Sequence, residues 1–252
     1  MTVPESTSLS AGTARQAASK MLLAMTCCVL LCPSRSSASN PPGGSISGNV
    51  VVMKADTPEE AVKRFALLNR YAVSKASGME HTMGSSQAAR PLSEKAVIYL
   101  ESDRLNKQKY PAPSGHPTLE QKDMMFHPHV LAVETGTLVD FPNKDLIFHN
   151  VFSYSGSKEF DLGRYPKGDS RSVRFDTPGV IRVYCDIHAH MNATIIVLPH
   201  PYFAVPDDDG NYSIPNVPDG EYTVSFWYDR DVVAQRRVTV RNGEAVTLNF
   251  QY

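Results

Sequence analysis

Beyond residue 40 the chain alternates short apolar runs with Pro, Gly, Asn and Asp punctuation, the pattern of a β protein with many turns. ISGNVVVM, from Ile46, predicts a first strand and AVIYLES, from Ala96, a second. Between them Thr57, Pro58 and Glu60 supply a helix cap, a proline at the first helical position and a glutamate three after the cap. Val62, Phe65, Ala66 and Asn69 then share one helical face, with Leu67, Leu68 and Tyr71 widening it, so a short helix is predicted from Thr57 to Tyr71. The polar stretch Ser74 to Glu94 reads as an excursion, and Lys107 to Gly115 as part of a linker.

A second group of strands follows at close spacing: FHPHVLAV, TLVDF, LIFHNVFS, RSVRFD, VIRVYC and TIIVLP, separated by Gly136, Pro142-Asn143 and Pro178-Gly179. This spacing predicts a β-sandwich or barrel. After Pro201, Asp209-Gly210, Asp219-Gly220 and Asn242-Gly243 mark turns, and Tyr222, Val224, Phe226 and Tyr228 alternate with Thr223, Ser225 and Trp227 at the period of a strand.

The first forty residues differ in kind. An uncharged apolar run from Met21 to Cys32 follows Arg15 and Lys20 and precedes Ser36, Ser37 and Ala38, which reads as a secretory signal peptide over 1–38, cleaved after Ala38. The run is shorter than the about 20 residues a spanning helix needs, so no stable membrane insertion is expected after cleavage. Its long preceding region leaves a start codon placed too far upstream as an alternative. Lipidation at Cys27 or Cys32 is another, opposed by Leu31 before Cys32. The expected location is the periplasm or the outside of the cell. Three cysteines lie in the leader and only Cys185 remains, so an internal disulfide is excluded and a lone exported thiol needs a purpose.

Composition narrows the function. With 42% hydrophobic and 20% charged residues the chain is a folded globular protein. Lys+Arg of 25 against Asp+Glu of 26 leaves a net charge of −1, which excludes a broad basic surface for nucleic acid. The chemistry concentrates in Tyr184-Cys185-Asp186-Ile187-His188-Ala189-His190-Met191, between two predicted strands. A thiolate, an imidazole and a thioether there form a soft donor set that favours copper. His149, in LIFHNVF, is the candidate donor from another strand. Two His, one Cys and a weak axial Met make a blue-copper electron-transfer site.

At these residues the sequence resembles the cupredoxins. His149-Asn150 with Cys185-x-x-His188-x-x-Met191 is similar to the amicyanin ligand loop. The stretch from Thr118 to Pro199, FHPH…GTLVDFPNKDLIFHNVFS…FDLG…FDTPGVIRVYCDIHAHM, resembles plastocyanin-like proteins of the methylamine-utilisation type. The resemblance implies one type 1 copper per chain on His149, Cys185, His188 and Met191. It also implies that Asn150 ties the His149 segment to the cysteine loop. Ala189 and His190 stand where such loops commonly carry glycine or proline. His190 reads as a surface neighbour. His127-Pro128-His129 offers two imidazoles on one strand face as a possible second metal pair, and Asp207-Asp208-Asp209-Gly210 reads as a tight turn because a calcium loop's closing acid is missing.

The flanks resemble a transthyretin-like, carboxypeptidase-regulatory-like sandwich: Gly48-Asn49-Val50 and Ala96-Val97-Ile98-Tyr99-Leu100 open it, and Asp209 to Ile214 with Val217 to Tyr222 close it. The expected fold is therefore mostly β, a cupredoxin Greek-key sandwich inserted in or adjoining a smaller sandwich. The expected division is 1–38 leader, 39–103 opening strands and helix, 104–117 linker, 118–199 cupredoxin domain and 200–252 closing strands. The function expected is a one-electron carrier, not an enzyme, working as a monomer with a protein redox partner that docks at apolar residues such as Pro142 and Ala189 around His188. A multicopper oxidase is disfavoured because Tyr184 and Asp186, not histidines, flank the cysteine. The alternative is a copper-handling module, or a glycan- or protein-binding one with Trp227 and its tyrosines as the binding face.

Overall fold

The segment Asn192–Leu198 (β11) is the spine of the fold, with every residue from Ala193 to Leu198 buried. Six consecutive buried positions mean that both faces of the strand are covered, which is why the run NATIIVL is nearly continuous in apolar residues instead of alternating. The computed structural model describes residues 43–53 and 90–252. The expected leader, 1–38, and the helix expected from Thr57 to Tyr71 lie outside the described residues.

β11 pairs in parallel with β5 (Val130–Glu134) and antiparallel with β10 (Gly179–Tyr184). With β7 (His149–Ser155) and β8 (Lys158–Tyr165) these form a five-stranded sheet of order β5-β11-β10-β7-β8. The pair β6 (Thr137–Pro142) and β9 (Ser170–Phe175) contributes Val139, Phe141 and Phe175 to a core that also holds Ile181, Val183, Cys185, Met191 and Ile195. A hairpin of β3 (Glu120–Lys122) and β4 (Met125–His127) adds Phe126. This is a mostly-β sandwich.

Three local expectations change. LIFHNVFS does not run as one strand: β7 begins at His149, and Leu146, Ile147 and Phe148 stay in the preceding bend, 87%, 42% and 56% exposed. FHPHVLAV is broken at Pro128 into β4 and β5, since a proline cannot donate to a ladder. The strand at 158–165 goes beyond the predicted set: it is a sheet edge on which exposed Glu159 and Asp161 alternate with Phe160 and Leu162, packed against the core, and its exposed charges oppose pairing with other chains.

The strands before and after this sandwich pair with each other. β1 (Gly44–Val51) lies antiparallel to β13 (Asn211–Val217) and parallel to β16 (Ala245–Thr247) and β17 (Phe250–Gln251). Gly48 is needed in β1 because a Cβ there would lie 1.8 Å from the Leu248 carbonyl oxygen. β2 (Ala96–Glu101) sits between β12 (Phe203–Ala204) and β14 (Gly220–Tyr228), with β15 (Asp231–Val240) outside. Ile46, Ile98, Leu100, Ile214, Val224, Phe226 and Phe250 fill the core between these sheets. Leu105, inside the stretch read as a linker, is fully buried in that core on a single helical turn, Asp103–Asn106.

A third cluster, Val97, Val130, Ile196, Leu198 and Trp227, joins the outer sheets to the back of β11. Trp227 is only 4% exposed, so it is a junction residue and not part of a glycan-binding face. Two histidines near this seam make stability depend on pH. The Nδ1 of buried His200 accepts the Tyr202 N–H at 3.3 Å, a role open only to the neutral ring, and burial lowers its pKa. Burial and then Arg90 lower that of His129, against the opposing pull of Asp229 and of the Asn192 carbonyl. A base with a depressed folded pKa is protonated first in the unfolded chain, so its stabilisation is complete above about 6.5 and is lost as the pH falls below it. Urea unfolding is expected to give a smaller free energy at pH 5 than at pH 7.5, with a shallower decline in His200→Gln. An equal decline in the variant would show that His200 is not responsible.

Candidate metal centre

β10 and β11 form a hairpin whose last cross-strand pair is Tyr184 opposite Asn192. Cys185 and Met191 are the next residues inward, and the Cys185 N–H donates to the Met191 carbonyl at 3.3 Å. The Met191 N–H donates to the His188 carbonyl at 2.9 Å, which folds the loop back on itself. Two bonds thus close residues 185–191 into a short loop, with Cys185 and Met191 4% and 1% exposed and directed to the core side. His188 stands between them at the surface and is partly exposed.

The opposing wall is the first residue of β7. His149 is fully buried, its Nδ1 is 3.1 Å from Nδ1 of His188, and the Cys185 Sγ is 3.8 Å from the same His188 nitrogen. The three donor atoms of His149, Cys185 and His188 lie within 4.8 Å of one another, and no other such group of metal-ligating side chains occurs among the described residues. An ion held at about 2.0 Å by nitrogen and about 2.3 Å by thiolate, the lengths known for zinc, keeps such donors between about 3.5 and 3.8 Å apart. The 3.8 Å separation falls in that range and the 3.1 Å one a few tenths of an ångström short of it, so small side-chain shifts would seat one small ion among the three. A thiolate with two imidazoles fits copper by donor chemistry.

What aims His149 is a pair of residues with no obvious sequence mark. Fully buried Asn143 donates from Nδ2 to the carbonyls of Ile147 and Tyr165, and its Oδ1 accepts the Asp145 N–H, shaping the bend before β7. The His149 Nε2 donates to the Asp145 Oδ2 at 2.8 Å, which leaves the Nδ1 lone pair for the centre. Burial on its own would raise the Asp145 pKa; the N–H of Met124, the His149 ring and the N–H of Asp123 outweigh it and hold the carboxyl below its ordinary value. The His188 pKa is lowered by partial burial first and then by His149 and His190.

Other singled-out residues fall elsewhere. Asn150 does not bond the cysteine loop as expected. Its Nδ2 donates to Asp161 Oδ1 on neighbouring β8 at 2.6 Å, and its Oδ1 is buried without a partner. The tie from β8 to the loop is instead Arg164, whose Nε and Nη2 both donate to Asp186 Oδ2. His190 is exposed, its ring 6.2 Å from that of His188. His127 and His129 do not act as a pair on one face, because the break at Pro128 sends His127 to Glu94 at 3.0 Å and His129 to Asp229 at 3.0 Å. Asp207 accepts the Asn211 N–H and closes a turn at Gly210, which has φ +86°.

One known family matches part of the chain. Residues 115–198 match the family described as copper binding proteins, plastocyanin/azurin family. Similar solved structures include the copper-containing nitrite reductase of Thermus scotoductus SA-01, 25% identical, with a TM-score of 0.33. It is matched over 36% of this chain and 24% of its own, so this chain spans about a quarter of that enzyme. A Cu(I) amicyanin mutant is 19% identical over 41% of this chain and 99% of its own, with a TM-score of 0.32. A purple cupredoxin from Nitrosopumilus maritimus is 26% identical over 30% of this chain and 84% of its own, with a TM-score of 0.28. No curated protein sequence matches the chain. The segment 115–198 is a cupredoxin-like copper-binding domain.

Asp145→Asn keeps the shape but not the charge that orients His149, and is expected to weaken copper affinity about 10- to 100-fold. Competition with a chelator measures it. An affinity within twofold of the parent would mean that the carboxylate does not set the ring.

Proposed function

We propose that the protein is an exported type 1 copper protein that carries single electrons to or from a protein partner. The observation that carries this reading is the enclosure of the donor set: His149 and Cys185 are buried in the sandwich, with Met191 buried beside them, and only His188 reaches the surface. In this reading His149, Cys185 and His188 hold the copper and Met191 is its weak axial donor on an amicyanin-like loop. Copper there supplies reversible exchange between Cu(II) and Cu(I). Four protein donors leave no position for substrate, which argues for a carrier and against an enzyme.

The surface supports the same reading. Ile187 is 39% exposed beside His188, and Leu146, Ile147 and Phe148 are exposed just before His149. An apolar patch of this kind suits brief docking of a redox partner around the His188 edge. These residues add to exposed Ala189 and half-buried Pro142. We further read β1, β2 and β12 to β17 as a carboxypeptidase-regulatory-like sandwich with the copper domain inserted between its halves, along the boundaries 39–103, 118–199 and 200–252. The pairing of β1 with β13 and of β2 with β14 supports this. Export to the periplasm or beyond rests on the sequence of 1–38. Among the described residues no helix is long and apolar enough to cross a membrane.

The deciding measurement is the visible spectrum of copper-loaded protein during a redox titration. A blue band that bleaches and returns reversibly is expected. Tight, colourless Cu(I) binding would instead mean that the protein handles copper. In the same titration Met191→Leu is expected to keep most of the colour and to raise the reduction potential, since a donor that favours Cu(II) has gone. An unchanged potential would remove Met191 from the ligand set.

A further inference from the structure

A cavity of about 360 Å³ opens between the metal loop and the outer sheets. Its wall includes Arg182 and Tyr184 of β10, Ala189 of the loop, Asn192 and Thr194 of β11, and Arg230 from the turn between β14 and β15. It lies one residue away from three of the four candidate ligands: Tyr184 precedes Cys185, Ala189 follows His188 and Asn192 follows Met191.

An arginine fixed beside the metal loop, with exposed Arg230 lining the same cavity, needs a reason. Among the described residues neither Arg182 nor Arg230 forms an ion pair. The acids that flank Arg230 are engaged elsewhere: Asp229 faces His129 and Lys95, and Asp231 accepts the Val232 N–H. Arg182 is held in place from three sides. It donates through Nη1 to the Thr194 hydroxyl at 2.6 Å and through Nη2 to the Arg230 carbonyl, and it lies 5.4 Å from the Trp227 ring centroid. Those bonds use two of its five N–H groups and leave a fixed guanidinium with donors to spare. A guanidinium fork matches a carboxylate in shape and charge, and a pre-positioned one loses little freedom on binding.

We propose that this cavity binds a small organic carboxylate between Arg182 and Arg230, beside the metal loop. Its volume lies in the range of pockets for small molecules, roughly 300–1,000 Å³, which favours a free small acid over a docked protein side chain. A bound negative charge so close to the loop stabilises the more positive metal state, so occupancy lowers the reduction potential. That last effect rests on the copper reading, whereas the binding itself does not.

The test is therefore made first on metal-free protein. Calorimetric titration with succinate is expected to give saturable one-site binding, weakened about tenfold or more in Arg230→Ala. Arg236→Ala removes the same charge from the exposed side of β15 and is expected to bind as the parent does. Arg182→Lys keeps the charge but not the fork, and is expected to bind more weakly than the parent. Succinamide, of similar size and uncharged, is expected not to bind. Equal affinity in Arg230→Ala and Arg236→Ala, binding of succinamide as tight as of succinate, or no saturable binding at all overturns the proposal. In copper-loaded protein, saturating succinate is expected to lower the potential of the parent and to leave that of Arg230→Ala unmoved.

Discussion

Cys185→Ser is expected to abolish the intense visible absorption of copper-loaded protein while leaving its far-UV spectrum unchanged. The band arises from charge transfer between thiolate and copper, and a serine hydroxyl is a hard, mostly protonated donor that cannot replace it. The fold should persist because Cys185 is buried at the end of β10 and serine is close to it in size, at the cost of one buried hydroxyl, about 1–3 kcal/mol. The histidines separate in the same assay. His149→Ala removes a fully buried donor and is expected to lower copper stoichiometry strongly, whereas His190→Ala removes an exposed neighbour and is expected to leave it near one. A blue band that survives in Cys185→Ser, or copper lost from His190→Ala and kept by His149→Ala, would assign the ligands differently.

Trp227→Ala is expected to be the most destabilising single change outside the metal centre, by about 3–5 kcal/mol. The indole fills the junction with Val97, Val130, Ile196 and Leu198, where the outer sheets cover the back of β11. Its removal leaves a void between β14 and the back of β11, and also ends the stacking of Arg182, worth about 0.5–1 kcal/mol more. Chemical unfolding measures the loss. A change below 1 kcal/mol would mean that the two sets of sheets are not packed through this residue. Loss of the junction should also weaken succinate binding, since Arg182 is then held from fewer sides.

The candidate donors that the structure brings together, His149, Cys185 and His188, were legible because their chemistry is carried by residue identity. Cys185, His188 and Met191 occupy one loop between two apolar runs, and a loop closed by a hairpin must bring its residues together. The turns at Asp209-Gly210 and Asp219-Gly220 and the alternation along β14 were legible for a similar reason, as local backbone and side-chain periods leave local marks. Strands whose pattern is set by distant partners were not. β8 alternates Phe160 and Leu162 with exposed acids over only four positions at a sheet edge, and Leu146 to Phe148 look like a strand but stay exposed in a bend held by Asn143.

Only the tertiary structure decided which side chains serve the centre without touching it. Asp145 is one acid among many along the chain, and nothing local says that its carboxylate orients His149; its position follows from the bend that Asn143 holds before β7. Asn150 has the right place in sequence to reach the cysteine loop, yet the pairing of β7 with β8 brings Asp161 to it first. The same holds for the cavity beside the loop. Arg182 and Arg230 are far apart in the chain and meet because Trp227 packs β14 against β11. Residue type and spacing specify the donors of a site, because coordination chemistry is a property of the side chain. Long-range packing specifies their supports and neighbours, because distances across a sandwich depend on strand pairings that no short window of sequence contains.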